Sequence, residues 1–297
     1  MPISLLLAIL AVSTASIFIR FAQREAPSLV IAALRLTIAS LVLAPYTAVR
    51  SGVELRKITR QELFLGLLSG SFLAIHFATW ITSLEYTSVA SSVVLVSTGP
   101  LWVALLAPLL LKERLRNQAV LGLVFALIGG TVIGLSDSCT LAGTLTCPPF
   151  SEFLLGRAFT GNLLALVGAW AVAFYLIIGR KLRARLSLTS YIFIVYGMAA
   201  VGLIAIMLIA QESPFGYRPV TYLWILLLAL IPQLIGHSTY NWALRYLPAA
   251  MVSVTTLGEP VGSAILAYLI LKESPTILTI GGGILILFGI YLTSRNS

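Results

Sequence analysis

The chain is built of apolar runs of about 20 residues that recur from one end of the sequence to the other. As a helix, a run of this length crosses a hydrocarbon layer about 30 Å thick. Only 10% of the residues are charged, whereas soluble domains carry about 25%. A soluble core of this size could not hide so much apolar surface, so lipid must be the solvent for most of it.

These runs predict an all-α membrane protein with ten transmembrane helices joined by mostly short polar links. The predicted helices lie near residues 3–21, 28–49, 62–83, 88–111, 117–135, 159–179, 188–210, 221–243, 249–271 and 276–293. The first run lacks a basic n-region, and Arg20 follows it in place of a small-residue cleavage site. We therefore expect it to remain as a membrane helix.

The basic residues are distributed unevenly between alternate links. The chain has 19 basic and 10 acidic residues, an excess that would suggest a nucleic-acid partner in a soluble protein. The loops on the side of the two termini hold 13 of the 19 basic residues, the opposite loops hold five, and Arg35 lies inside a run. Because cytoplasmic loops carry the excess of Lys and Arg, we predict that both termini are cytoplasmic, and we expect no nucleic-acid partner.

The one long link, residues 136–158, is then external and contains both cysteines, Cys139 and Cys147. An oxidising exterior favours a disulfide between them. Two free thiols are the alternative.

The sequence also repeats itself at a distance of 160 residues. The matching pairs are Tyr86 and Tyr246, Pro100 and Pro260, Lys112-Glu113 and Lys272-Glu273, and Gly129 and Gly289. We therefore expect a first five-helix repeat at 1–135, an external loop at 136–158 and a second five-helix repeat at 159–297. An odd number of helices in each half makes the two repeats inverted, a feature of secondary transporters that place their site between the repeats near the midplane.

Two segments carry a family resemblance: Gly99-Pro100 followed by Lys112-Glu113, and Glu259-Pro260 followed by Lys272-Glu273. They resemble the drug/metabolite transporter superfamily, specifically its ten-helix EamA-type exporters, over essentially the whole chain. Arg35, within 32–35, fits the same pattern. The length, the cysteine-bearing loop and the aromatic-rich helices look most like bacterial inner-membrane exporters of aromatic amino acids.

This resemblance implies export of amino acids and related small metabolites across the bacterial inner membrane by alternating access, without a cofactor or a metal. The sequence departs from the family at 13–16, which reads Ser-Thr-Ala-Ser where members often have a Trp-Gly pair. An exporter or facilitator of another small metabolite or of a cationic drug is the alternative.

The paired prolines predict hinges at Gly99, Pro100, Gly258 and Pro260. Each proline removes a helix hydrogen bond and would free the carbonyl group four residues before it. Interrupted helices at matching places in two halves point to a binding region. Kinking for helix packing is the alternative.

Glu259 and Arg35 are the two ionisable residues, histidines apart, well inside predicted helices, and such residues are functional candidates. Glu259 could bind a substrate ammonium group, carry a proton or tie two helices together. Arg35 could reach outward, pair with Glu259 or meet a substrate carboxylate. One central acid is compatible with proton coupling and equally with facilitated diffusion.

Polar and aromatic side chains recur at spacings of three and four, which place them on one helix face. Such faces are costly towards lipid, so we expect them to line a substrate cavity, with interhelical packing as the alternative. The predicted substrate-binding residues are His76, Trp80, Thr98, Trp102, Trp170, His237, Tyr240, Asn241, Thr256 and Glu259. The histidines are expected to form hydrogen bonds and not to bind a metal.

Two other classes of protein fit the sequence less well. An intramembrane enzyme is disfavoured because the sequence has no His-Glu-x-x-His motif, no Gly-x-Ser-x-Gly motif and no pair of membrane aspartates. A channel is disfavoured because no repeated filter sequence is present, although a pore between subunits stays open as an alternative.

Overall fold

The computed structural model describes residues 2–111, 117–136, 139–142, 144–147 and 149–294. Within these ranges the chain consists of helices, the links between them and one small hairpin. In chain order the helices are α1 (Pro2–Ser13), α2 (Ala15–Ala22), α3 (Ser28–Arg56), α4 (Arg60–Tyr86), α5 (Val89–Val96), α6 (Gly99–Leu111), α7 (Asn117–Ser136), α8 (Phe150–Leu155), α9 (Arg157–Arg183), α10 (Leu188–Ile209), α11 (Pro219–Leu228), α12 (Ser238–Ala243), α13 (Ala249–Thr255), α14 (Gly258–Leu266) and α15 (Ile277–Ser294). Two π-helical segments, Ala229–His237 and Ala267–Leu271, complete them.

Eight segments among the described residues are long and apolar enough to cross a membrane. They are Ile3–Ala22, Ser28–Arg56, Arg60–Tyr86, Val89–Leu106, Arg157–Arg183, Leu188–Ile209, Pro219–Ala243 and Ala249–Leu271. A shorter apolar helix covers Ile277–Gly289. The architecture is that of a multi-pass membrane protein, with eight candidate spans in the described part of the chain where the sequence predicts ten.

Three of these spans are broken near their middles. The first breaks at Thr14, between α1 and α2. The other two break before the paired prolines, at 97–98 between α5 and α6 and at 256–257 between α13 and α14. The carbonyl of Thr256, which the sequence predicts to be free, accepts a hydrogen bond from the backbone N–H of Glu259 at 2.9 Å. The chain therefore forms a tighter turn before Pro260, with a hydrogen bond between residues three apart, and the Thr256 carbonyl is not left without a donor.

The span Pro219–Ala243 passes through the π-helical segment Ala229–His237, which contains Pro232. Proline has no backbone N–H to donate, so the regular hydrogen-bond ladder must reorganise around it. A π-helical segment widens the turn by one residue and is frequent at functional sites. Here the π-helical segment places Gln233 and His237 towards the interior of the bundle, and the Gln233 side chain is fully buried.

The helix α3 ends at Arg56, beyond the predicted end near residue 49. Its last turn carries Glu54, whose carboxylate accepts hydrogen bonds from the backbone N–H of Ser187 at 2.7 Å and from the hydroxyl of Ser190 at 2.6 Å. These bonds satisfy donors at the start of α10 that have no partner within that helix. The polar end of α3 is thus a cap for a neighbouring helix.

The link 136–158 adds a structure that the sequence analysis does not foresee. Two short antiparallel strands, β1 (Thr140–Ala142) and β2 (Thr144–Thr146), form a hairpin with Leu141 opposite Leu145. A disulfide joins Cys139 and Cys147 at the base of this hairpin. The Lys112-Glu113 pair of the sequence repeat lies outside the described residues.

Equivalent side-chain bonds occur at the two ends of the bundle. We call the end that contains the links 23–27, 87–88, 210–218 and 272–276 the Tyr86 end, and the end that contains 57–59, 184–187 and 244–248 the Lys57 end. At the Tyr86 end, Arg20 donates to the carbonyl of Leu84 at 2.5 Å. At the Lys57 end, Arg180 donates to the carbonyl of Leu244 at 2.6 Å. These two bonds are related by the same 160-residue shift as the sequence repeat.

Candidate functional site

A cavity lies in the middle of the bundle, where the broken helices meet. It contains about 600 Å³ of empty space, its open mouth included. Its wall is formed by His76, Trp80, Val96, Ser97, Gly99, Pro100, Val172, Tyr175, Leu176, His237, Tyr240, Ser253, Thr256 and Glu259. Its mixed aromatic and polar wall is typical of a site for a small organic molecule.

The two helix breaks bring backbone to this cavity. Gly99 and Pro100 stand at the start of α6, and Glu259 stands in the first turn of α14. A Cβ atom on Gly99 would lie 3.2 Å from a side-chain methyl of Val172, so glycine lets α6 approach α9 closely. The breaks at 97–98 and 256–257 thus border the cavity from both halves of the chain.

Glu259 provides the carboxylate of the wall. Its position in the first turn of α14 puts its negative charge near the positive end of the helix dipole. No basic nitrogen of the described residues lies within 4.0 Å of it. Glu259 and Arg35 therefore do not form the ion pair that the sequence analysis considered, and the carboxylate is available to a ligand.

His76 and His237 lie side by side in the wall, with ring centroids 6.4 Å apart. Nδ1 of His76 lies 2.9 Å from the carbonyl oxygen of Gly168. Because a carbonyl oxygen only accepts, this bond assigns the proton to Nδ1 and leaves Nε2 as an acceptor. Among the described residues no group of three His, Cys, Asp or Glu side chains could hold a metal ion.

Two hydrogen-bond donors in the wall have no partner in the part of the chain that the structure describes. They are the indole nitrogen of Trp80 and the phenol oxygen of Tyr240, both buried. A buried donor without an acceptor is costly, and most buried polar groups in proteins are paired. Neither donor therefore has its hydrogen bond satisfied by the residues that the structure describes.

Arg35 lies in the protein interior and not in the cavity wall. Its Nε donates to the side-chain oxygen of Gln233 at 2.9 Å, and its guanidinium carbon lies 4.0 Å from the ring centroid of Phe77. Its two terminal nitrogens are buried without partners among the residues described. Phe77 in turn packs against His237, with centroids 5.3 Å apart, so Arg35 supports the wall from behind.

Several predicted residues lie outside the wall. Thr98 donates to the carbonyl of Leu95 at 2.7 Å. Trp170 is 36% exposed and packs with Phe72 and Phe174 on the outer surface of the bundle. Trp102, Gly258 and Pro260 are also absent from the wall.

Asn241 is fully buried behind the wall. It accepts a hydrogen bond from Tyr175 at 2.8 Å and donates one to the hydroxyl of Tyr196 at 3.2 Å. Tyr175 itself lines the cavity and was missed by the sequence analysis, as were Ser97 and Ser253. Ser253 lies three residues before Thr256, so the spacing used to select Thr256 could have found it.

The fold and the cavity together define a multi-pass membrane protein with an internal cavity. Residues 2–135 and 159–295 each match the EamA-like transporter family. The chain therefore belongs to the EamA-like transporter family and is a membrane transporter.

Relatives extend over nearly the whole chain. An uncharacterized transporter from Archaeoglobus fulgidus is 27% identical over 94% of this chain and 92% of its own length. The pseudopaline exporter CntI from Pseudomonas aeruginosa is 27% identical over 98% of this chain and 95% of its own length. A solved crystal structure has the same fold, with a TM-score of 0.67 at 20% identity, covering 99% of this chain and 96% of that chain.

Proposed function

We propose that this transporter exports amino acids, aromatic ones foremost, and related small metabolites across the bacterial inner membrane. The observation that carries the proposal is the composition of the cavity wall. It combines the carboxylate of Glu259, which suits an ammonium group, with the aromatic rings of Trp80 and Tyr240. Aromatic rings favour both an aromatic substrate and a cation over a ring face.

The unpaired hydrogen-bond donors of Trp80 and Tyr240 also favour an amino acid as the substrate. A carboxylate has two oxygens that accept hydrogen bonds, so a zwitterion would satisfy these donors and Glu259 together. A substrate with a positive charge alone would leave both donors unpaired. This favours an amino acid over a cationic drug.

Transport would proceed by alternating access, with the halves 1–135 and 159–297 rocking about the cavity. The helix breaks at 97–98 and 256–257 are the proposed hinges, because residues at the ends of helical elements absorb changes in backbone angles. The predicted orientation would place both termini in the cytoplasm.

Uptake and counterflow in proteoliposomes test this proposal. Labelled phenylalanine, tryptophan and tyrosine would be compared with a cationic dye and an acidic metabolite, each with and without an imposed pH gradient. We expect saturable counterflow of the aromatic amino acids. Transport of the dye but of no amino acid would contradict the proposed substrate class, and unsaturable flux would indicate a channel.

Glu259→Gln tests the role of the acid in the same assay. We expect it to raise the KM for phenylalanine about 10-fold or more, because hydrogen bonds and ion pairs to a charged group are worth about 1.5–3 kcal/mol. Glu152→Gln on α8 is the matched control, since Glu152 is exposed and is not part of the wall. A loss of gradient dependence with counterflow retained would assign proton coupling to Glu259.

A further inference from the structure

The Tyr86 end of the bundle is held by an ion pair between Arg20 of α2 and Glu273. A terminal nitrogen of Arg20 lies 3.2 Å from a carboxylate oxygen of Glu273, and the two side chains are 25% and 32% exposed. Glu273 follows directly on Lys272, which ends the segment Ala267–Leu271 in a left-handed conformation with φ 60°. A partly buried pair is screened by salt less than an exposed one.

Each partner of the pair is also bonded to backbone. Arg20 donates to the carbonyls of Leu84 at 2.5 Å and Thr87 at 3.1 Å, at the end of α4. The second oxygen of Glu273 accepts a hydrogen bond from the backbone N–H of Val89 at 3.1 Å, at the start of α5. One pair therefore ties together the ends of α2 and α4, the start of α5 and the end of the span Ala249–Leu271.

The pair joins the two halves of the chain. Arg20, Leu84 and Val89 belong to the first half, whereas Glu273 belongs to the second. A movement that carries Glu273 away from α2 and α5 must break both the ion pair and the bond to Val89.

The protein between this pair and the cavity is closed. Trp80 marks the cavity wall nearest the Tyr86 end. Beyond it, Leu84 and Val93 are fully buried, and the hydroxyls of Ser83 and Ser92 are 2.6 Å apart. The pair thus lies over a layer of fully buried residues, Ser83, Leu84, Ser92 and Val93, which we call the sealed layer.

We propose that Arg20 and Glu273 form a latch that keeps the Tyr86 end of the cavity closed and separates when the cavity opens to that end. The bond from Arg20 to Leu84 has a counterpart in the bond from Arg180 to Leu244 at the Lys57 end. Glu113, the sequence counterpart of Glu273, lies outside the described residues.

A thiol reporter in the sealed layer tests the latch without any substrate. Ser92→Cys, introduced into the full chain, is the sealed-layer reporter. The protein would be placed in lipid nanodiscs, so that the reagent reaches both membrane faces. The rate of reaction with a bulky maleimide would then be measured. We expect Glu273→Gln or Arg20→Gln to raise this rate about 5- to 150-fold, the usual range of coupling free energies in conformational transitions.

Ser253→Cys is the second reporter, because Ser253 lines the cavity towards the Lys57 end. A latch predicts that the rate at this second reporter stays unchanged or falls when the rate at the sealed-layer reporter rises. A rise at both reporters would mean general loosening of the bundle and would overturn the proposal.

Glu25→Gln is the matched control. Glu25 forms another ion pair at the Tyr86 end, with Arg218, and its bonds within the described residues do not extend to α4 or α5. We expect no change in the rate at the sealed-layer reporter in this variant. An equal rise in Glu25→Gln and Glu273→Gln, or no rise in Glu273→Gln protein that elutes as a single folded species, would also overturn the proposal. Neither result bears on which solute is carried.

Discussion

Gly129 of α7 and Gly282 of α15 are in backbone contact where these two helices cross. A Cβ atom on Gly129 would lie 2.5 Å from the carbonyl oxygen of Gly282, and one on Gly282 would lie 2.7 Å from that of Gly129. Small residues allow this approach in membranes, where helix association depends on close packing. The backbones cannot yield as a flexible side chain would.

We therefore expect Gly282→Ala to lower the free energy of unfolding by about 1–3 kcal/mol, the usual cost of overpacking. Thermal unfolding of the purified protein in detergent measures this. Gly281→Ala is the neighbouring control, because a Cβ there would meet nothing within 4 Å. Equal melting temperatures for the two variants would contradict the close approach.

The two tryptophans that the sequence assigns to the site are expected to differ in function. Trp80 lines the cavity with its indole N–H unpaired among the described residues, whereas Trp170 packs with Phe72 and Phe174 outside it. Trp80→Phe should raise the KM for an aromatic amino acid about 3- to 10-fold, the value of one hydrogen bond. Trp170→Phe should leave the KM within about twofold. The reverse order in a proteoliposome assay would place the substrate elsewhere.

The bond between Arg35 and Gln233 is expected to be important for stability. Gln233→Leu removes the acceptor of a fully buried guanidinium and should cost about 1.5–3 kcal/mol of unfolding free energy. Gln233→Glu keeps an acceptor and adds an opposite charge, so it should unfold at a higher temperature than Gln233→Leu. If both variants melt together, the bond contributes little.

A pH effect is expected from Glu212, in the link at 210–218. Burial, together with the nearby charge of Glu85, raises the pKa of Glu212 above its ordinary value of 4.5. A raised pKa means that the folded state favours the protonated form, so ionisation of Glu212 reduces stability as the pH rises through the folded-state pKa.

Glu212→Gln should therefore raise the melting temperature at pH 8, and the difference from the parent protein should shrink as the pH falls towards 4.5. Melting curves recorded between these limits check this. Glu152→Gln, a change at an exposed acid on α8, should show no such trend. A constant difference across the pH range would show that Glu212 does not titrate as described.

Eight of the ten spans that hydropathy predicts are found among the described residues, because a long apolar run in lipid satisfies its backbone hydrogen bonds by forming a helix. Hydropathy does not predict the break at Thr14 or the segment Ala229–His237, since it does not depend on which backbone groups are hydrogen-bonded to each other. The sequence likewise predicts some residues of the site and misses others. Glu259, His76 and His237 are recognisable because polar groups are rare in spans, and all three line the cavity.

Aromatic residues are harder to assign from the sequence. Trp170 and Tyr175 both lie in α9, yet only Tyr175 reaches the cavity. Lipid and a substrate cavity both favour aromatic side chains, so the residue type does not distinguish the two faces of a helix. The direction of each face depends on contacts between distant helices.

The position of Glu259 in the first turn of α14 has a thermodynamic consequence. The start of a helix carries about half a positive charge, so protonation of the carboxylate would reverse the sign of the local field. A proton and a substrate ammonium group would then compete for one carboxylate, and each would displace the other. Competition at a single group would give one-for-one exchange if the carrier reoriented only with that carboxylate occupied, with no signal passing between separate sites.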